Sequence, residues 1–132
     1  MIGNGTGMAA LHAHLRQAAL RGTHGHWLLF GERSSAHDFH LGEDVRAWQQ
    51  RGVLARVDLA FSRDGSERTY VQHRLAAAAG ELRGFVAGGA TILVSGSLAG
   101  MAPGVDAVLR EVLGSAQVDA LAQQGRYRRD VY

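Results

Sequence analysis

Two kinds of apolar pattern alternate along the chain, and this alternation restricts the fold more than any other feature. Met8, Leu11, Leu15 and Ala18 recur at helical spacing and give way to Gly22, a helix stop. Trp27 to Phe30 is an unbroken apolar run, as in a strand covered on both faces. A shorter helix over about 42–51 precedes Gly52. Val53, Ala55, Val57, Leu59 and Phe61 then alternate with Arg56 and Asp58, which predicts a half-exposed strand at a sheet edge over 53–61. Val71, Leu75, Ala78, Leu82 and Phe85 predict one long amphipathic helix ended by Gly88-Gly89. Ala90 to Val94 is a second continuous apolar strand. Pro103 sits where a further helix begins, carried on by Val105, Val108, Leu109 and Val112. A short helix around Val118 and Leu121 comes before a last extended stretch, Tyr127 to Tyr132. Strands separated by helices require right-handed crossovers, hence an α/β fold with a doubly wound parallel sheet flanked by helices. Only Met1 and Ile2 precede Gly3, so the first strand is expected to be largely missing and the stability marginal.

The 132 residues suffice for one domain with a real core, expected to span 1–132. With 46% apolar and 20% charged residues, wholesale disorder is excluded. The absence of Cys excludes disulfides, a thiolate nucleophile and thiolate-bound metal. Neither a secretory leader nor an apolar run of about 18 residues is visible, and a cytoplasmic location is expected. All basic residues are Arg, 14 against 12 acids, with an isoelectric point near 9.7. They are dispersed except at Arg126, Arg128 and Arg129, so no stripe exists to track a nucleic acid backbone. A small phosphorylated ligand suits such planar, permanently charged forks better. The seven His residues, among them His12, His14, His24, His26, His37 and His40, lack convincing ligand spacing, and no metal is expected. Ser95-Gly96-Ser97 follows a strand but lacks the G-x-S-x-G frame of a hydrolase nucleophile.

Two stretches carry chemistry. Gly3-Asn4-Gly5-Thr6-Gly7 separates the short first strand from the first helix, where glycines let backbone N–H groups approach a pyrophosphate. A flexible tail would look the same. Ser62-Arg63 closes the edge strand, with Arg68, Tyr70 and Gln72 soon after, at the strand end where open α/β sheets take ligands. Hydroxyl, guanidinium and phenol groups together suit a phosphomonoester, with the tyrosine ring free to stack on a base. A solvated turn pairing Arg63 and Arg68 with Asp64 and Glu67 is the alternative. Glu32, ending the second strand, stands where an acid binds a ribose 2′-hydroxyl and selects NAD. Against it, the two arginines, serine and tyrosine would be wasted on an unphosphorylated ribose, which favours NADP.

Gly3-Asn4-Gly5-Thr6-Gly7, Gly31-Glu32-Arg33, Ser62-Arg63, Tyr70-Val71-Gln72, Val94-Ser95-Gly96, Met101-Ala102 and Tyr127-Arg128-Arg129-Asp130-Val131-Tyr132 follow one another in a single order. In this the chain resembles the NADP-binding half of the ferredoxin-NADP reductase superfamily. The likeness is to its diflavin branch, with the sulfite reductase flavoprotein type most similar at Arg129-Asp130-Val131-Tyr132. The resemblance implies about five strands in the order 3-2-1-4-5, with 27–30 and 90–94 interior and 53–61 at an edge. It implies that Gly5, Thr6 and Gly7 cradle the pyrophosphate, with Arg33 reaching its oxygens. Ser62, Arg63, Arg68 and Tyr70 would hold the 2′-phosphate, with Gln72 beside them. Ser95 and Asp130 would lie near the nicotinamide, Met101 alongside, and Tyr132 would cover the flavin ring until nicotinamide displaces it. Ser95 departs from the Cys of many relatives. The resemblance also implies hydride transfer from NADPH to FAD on a flavin-binding domain, in the same or a separate chain, and onward transfer to an unspecified acceptor. Alternatively, the chain is a non-catalytic dinucleotide-binding module, and by itself it is expected to be inactive.

Overall fold

The computed structural model describes residues 1–32, 42–62 and 69–132. Five parallel strands form one sheet: β1 (Ile2–Asn4), β2 (His26–Glu32), β3 (Leu54–Phe61), β4 (Ile92–Gly96) and β5 (Tyr127–Val131). Their order is β3-β2-β1-β4-β5, so the two continuous apolar runs are interior and the alternating segment is an edge. Short as it is, β1 is the centre of the sheet. Ile2 stands opposite Leu29 on one side and Val94 on the other.

Strand geometry sends successive side chains to opposite faces, and the core divides accordingly. Leu28 and Phe30 face α1 (Met8–Leu20) and α2 (Gly42–Gln50), burying Leu11, Leu15, Val45 and Trp48 with them. Ile2, Trp27, Leu29, Ile92 and Val94 face α3 (Val71–Ala77), α4 (Ala79–Ala87), α5 (Met101–Leu113) and α6 (Ser115–Gln123). Gly22 ends α1 as expected, with φ +72°, and Thr23 N–H donates to Ala18 O at 3.0 Å. Among the described residues, no helix is long and apolar enough to cross a membrane.

Two local expectations need correction. The segment 71–87 forms two helices, not one. At Ala78, φ −103° and ψ 32° leave the helical range, and its N–H is shared between Arg74 O and Leu75 O at 3.1 Å each. The break falls at Ala78, two residues ahead of Gly80, the residue of this stretch that least favours a continuous helix. The alternation in β3 also fails at Ala55, which is exposed. His26 pairs with Leu54 but Trp27 with Arg56, so Ala55 is the extra residue of a bulge. Leu54, Val57 and Leu59 therefore pack in the same cluster, while Asp58 accepts a 2.7 Å hydrogen bond from Trp27 Nε1 on the other face.

Candidate functional site

The site grows from the C-terminal ends of β1 and β4. After Asn4 the chain makes a single 3-10 turn, Gly5–Gly7, and runs directly into α1. Gly5 has φ +52°, a left-handed backbone that glycine adopts without steric cost. Neither Asn4 nor Gly7 caps this entrance with a side chain, and the first α1 amide, Met8 N–H, is already donated to Gly5 O and Thr6 O, so an anion would meet the amides of the Gly5–Gly7 turn itself. Close packing explains the other glycines. A β-carbon on Gly3 would lie 2.6 Å from Ser95 O, and one on Gly7 2.8 Å from Gly96 N. The turn thus sits directly on the end of β4, and only bare backbone permits that approach.

Asn4 ties the two strand ends together. Its Oδ1 accepts the Ser97 N–H at 3.0 Å, beside Gly96, whose φ of +139° leaves no room for a side chain. Ser97 in turn organises the loop into α5: its Oγ accepts the Gly100 N–H at 2.9 Å and its carbonyl accepts the Ala102 N–H at 2.9 Å. Sequence reasoning missed Asn4 as a site residue. The only available signal was its place between two glycines at a strand's C-terminal end.

A cleft of about 600 Å³ opens at the C-terminal ends of β1, β2 and β3, facing the starts of α3 and α5. Of the residues expected at the site, Gly5, Ser62, Tyr70, Gln72 and Met101 line it, together with Asn4, Gly31, Glu32 and Gly100. The glycine turn and the segment after the edge strand, far apart in sequence, therefore share one cleft. Tyr70 is 40% exposed there, immediately before α3. Arg33, Arg63 and Arg68 lie outside the described residues. Chain connectivity nonetheless bonds them to Glu32, Ser62 and Thr69 respectively, all three of which line the cleft.

The remaining expected residues stand behind or beside this cleft. Ser95 pairs in register with Gly3 on one side and Asp130 on the other. It is 2% exposed, and its Oγ has no hydrogen-bond partner. Asp130 is exposed on the edge strand. Tyr132 reaches back across the turn, where its phenol and the Thr6 hydroxyl are 2.7 Å apart. Its main chain is fixed to β4: Tyr132 N–H donates to Gly96 O and Leu98 N–H to Tyr132 O, each at 3.1 Å. Thr6, Ser95 and Tyr132 thus surround the α1 entrance rather than lining the cleft itself.

A second, larger hollow of about 940 Å³ lies at the opposite end of the sheet, among Met1, Trp27, Leu29, Leu82, Phe85 and Ile92. There β2 begins three residues, and β4 two residues, before the positions paired with Ile2. The Met1 amino group donates to Trp27 O at 2.7 Å, and burial pushes its pKa down to about 5. Among the described residues, none of those expected at the site lines this hollow.

Residues 1–107 match the family model of the oxidoreductase NAD-binding domain. Over its whole length the chain is 34% identical to the sulfite reductase [NADPH] flavoprotein alpha-component of Bacillus subtilis (strain 168). Identity to the proteins of the same name is 37% in Salmonella typhimurium and 38% in Yersinia pestis. The chain spans about a quarter, 24%, of the length of each of these relatives.

Proposed function

The chain belongs to the oxidoreductase NAD-binding domain family, and on that premise we propose that it binds NADP(H) and presents the nicotinamide to a flavin. One observation carries this reading. A glycine turn without side-chain caps meets Ser62, Tyr70 and Gln72 in one cleft, and three arginines are bonded in sequence to residues that line it. The donor set fits a dinucleotide with two phosphate centres. Gly5, Thr6 and Gly7 would hold the pyrophosphate by N–H groups at the α1 entrance, with Arg33 adding charge. Ser62, Arg63, Arg68 and Tyr70 would hold the adenosine 2′-phosphate by charge-assisted hydrogen bonds, with Gln72 beside them. Ser95, Asp130 and Met101 would flank the nicotinamide, the Ser95 hydroxyl being buried without a partner among the described residues. Tyr132 would guard the nicotinamide side.

When bound, NADPH supplies a hydride, and the acceptor we infer is FAD on a flavin-binding domain in this or another chain. The relatives are named as NADPH-dependent sulfite reductase flavoprotein components, and a comparable electron-transfer role is the reading proposed here. The 132 residues alone are expected to leave NADPH unoxidised until such a domain is supplied.

Cofactor choice tests the proposal. Calorimetric titration of the chain should give NADP tighter than NAD by roughly ten- to a hundredfold, the worth of one charge-assisted hydrogen bond. Arg63→Ala should remove about tenfold from NADP and leave NAD unchanged, and added salt should narrow the gap. Equal affinities, or a preference surviving loss of both Arg63 and Arg68, would overturn the 2′-phosphate assignment. That result would favour Glu32, which lines the same cleft, as a ribose ligand selecting NAD.

A further inference from the structure

Tyr70 and Gln72 face the cleft from the start of α3, and each is steadied by a residue outside the cleft lining. His73 holds Tyr70. The Tyr70 N–H donates to His73 Nδ1 at 3.1 Å, and the His73 N–H donates back to Tyr70 O at 3.0 Å. The two rings lie 5.6 Å apart between centroids, tilted by 58°. Gly104 seats Gln72. A β-carbon at Gly104 would come within 3.0 Å of the Gln72 carboxamide carbon and nitrogen, so that side chain lies against a bare patch of α5. An exposed aromatic ring and a long amide would otherwise lose rotamer freedom on binding, a cost that prior positioning removes.

We propose that His73 and Gly104 are positioning residues for the adenosine half of the dinucleotide, His73 setting the Tyr70 ring and Gly104 the Gln72 amide. This rests on the NADP(H) reading above. It differs from that reading in assigning specificity to two residues that touch no ligand.

Adenosine 2′,5′-bisphosphate probes this half alone. His73→Ala should weaken its binding about three- to tenfold, and His73→Asn, which keeps an acceptor near the Tyr70 N–H, should recover part of the loss. In a Tyr70→Ala background, His73→Ala should have no further effect. Gly104→Ala should weaken binding severalfold, and the effect should vanish in a Gln72→Ala background. Alanine ordinarily favours a helix over glycine, so affinity lost without a lower melting temperature separates positioning from folding. If the wild-type chain binds neither NADP nor the bisphosphate, the functional reading fails and this inference with it. If it binds both and the variants bind equally well, the inference alone fails. Losses that persist unchanged in the Tyr70→Ala and Gln72→Ala backgrounds overturn it as well.

Discussion

The two ends of this sheet solve opposite packing problems. At the C-terminal end, β1 and β4 are keyed together by backbone so close that Gly3, Gly7 and Gly96 admit no side chain. At the N-terminal end, β2 and β4 outrun β1 and flank a hollow of about 940 Å³, larger than the 600 Å³ cleft at the other end. The bigger space mixes core side chains and a buried amino group with polar residues such as His14, Arg21, His26 and Arg128, whereas the smaller one gathers a glycine turn, a hydroxyl, a phenol and an amide. What sets the smaller space apart is that its polar groups meet a glycine turn packed on backbone too tightly fitted to relax.

The comparison breaks first if the tight end proves tolerant. Gly7→Ala pushes a β-carbon against the Ser95 carbonyl and is expected to cost about 3 kcal/mol or more, since backbone cannot give way as a side chain can. Chemical denaturation would measure this, and a loss under 1 kcal/mol would contradict the keyed-backbone account. Next comes the open end. The Met1 amino group has a pKa near 5 when folded and 8.0 in its ordinary state, so the unfolded chain binds more protons between those values. Stability should thus fall as pH drops from about 8 towards 5, by a few kcal/mol at most. Acetylating that amino group should flatten the profile over this window, and an unchanged slope would show that the charge is not buried in solution.

Smaller effects sharpen the picture. Ser95→Ala removes a buried hydroxyl without a partner, and is expected to leave stability unchanged or raise it by about 1 kcal/mol. A clear destabilisation would mean that the hydroxyl is satisfied in solution. Last, Tyr132→Phe deletes one exposed hydrogen bond to Thr6, a loss of about 0.5–1 kcal/mol in thermal unfolding. A larger drop would make that bond a structural clamp on the α1 entrance.

Much of the architecture was legible because it rests on one-dimensional signals. The unbroken run Trp27–Phe30 could only be an interior strand, and the Met8–Ala18 stripe with Gly22 set α1 nearly to the residue. What escaped depends on partners. The bulge at Ala55 arises from register against β2, and no pattern within β3 reveals it. The break at Ala78 interrupts a stripe whose spacing continues across it, so periodicity reads straight through. Of the residues lining the cleft, Gly5, Tyr70 and Gln72 stood out in the sequence as motif residues. Asn4 was not, because its role is a hydrogen bond to a residue 93 positions away.

That separation has a consequence for how the chain is made. The central strand precedes the other four in the chain, yet one of its neighbours, β4, emerges some ninety residues later, and Tyr132 must arrive before Thr6 gains its phenol partner. Contacts between distant positions demand loop closure before they return any stabilisation, which slows folding. During synthesis β1 must therefore wait, half-paired with β2, until β4 emerges. Its three residues, Ile2–Asn4, expose little apolar strand during that wait, and so offer a small target for misdirected pairing.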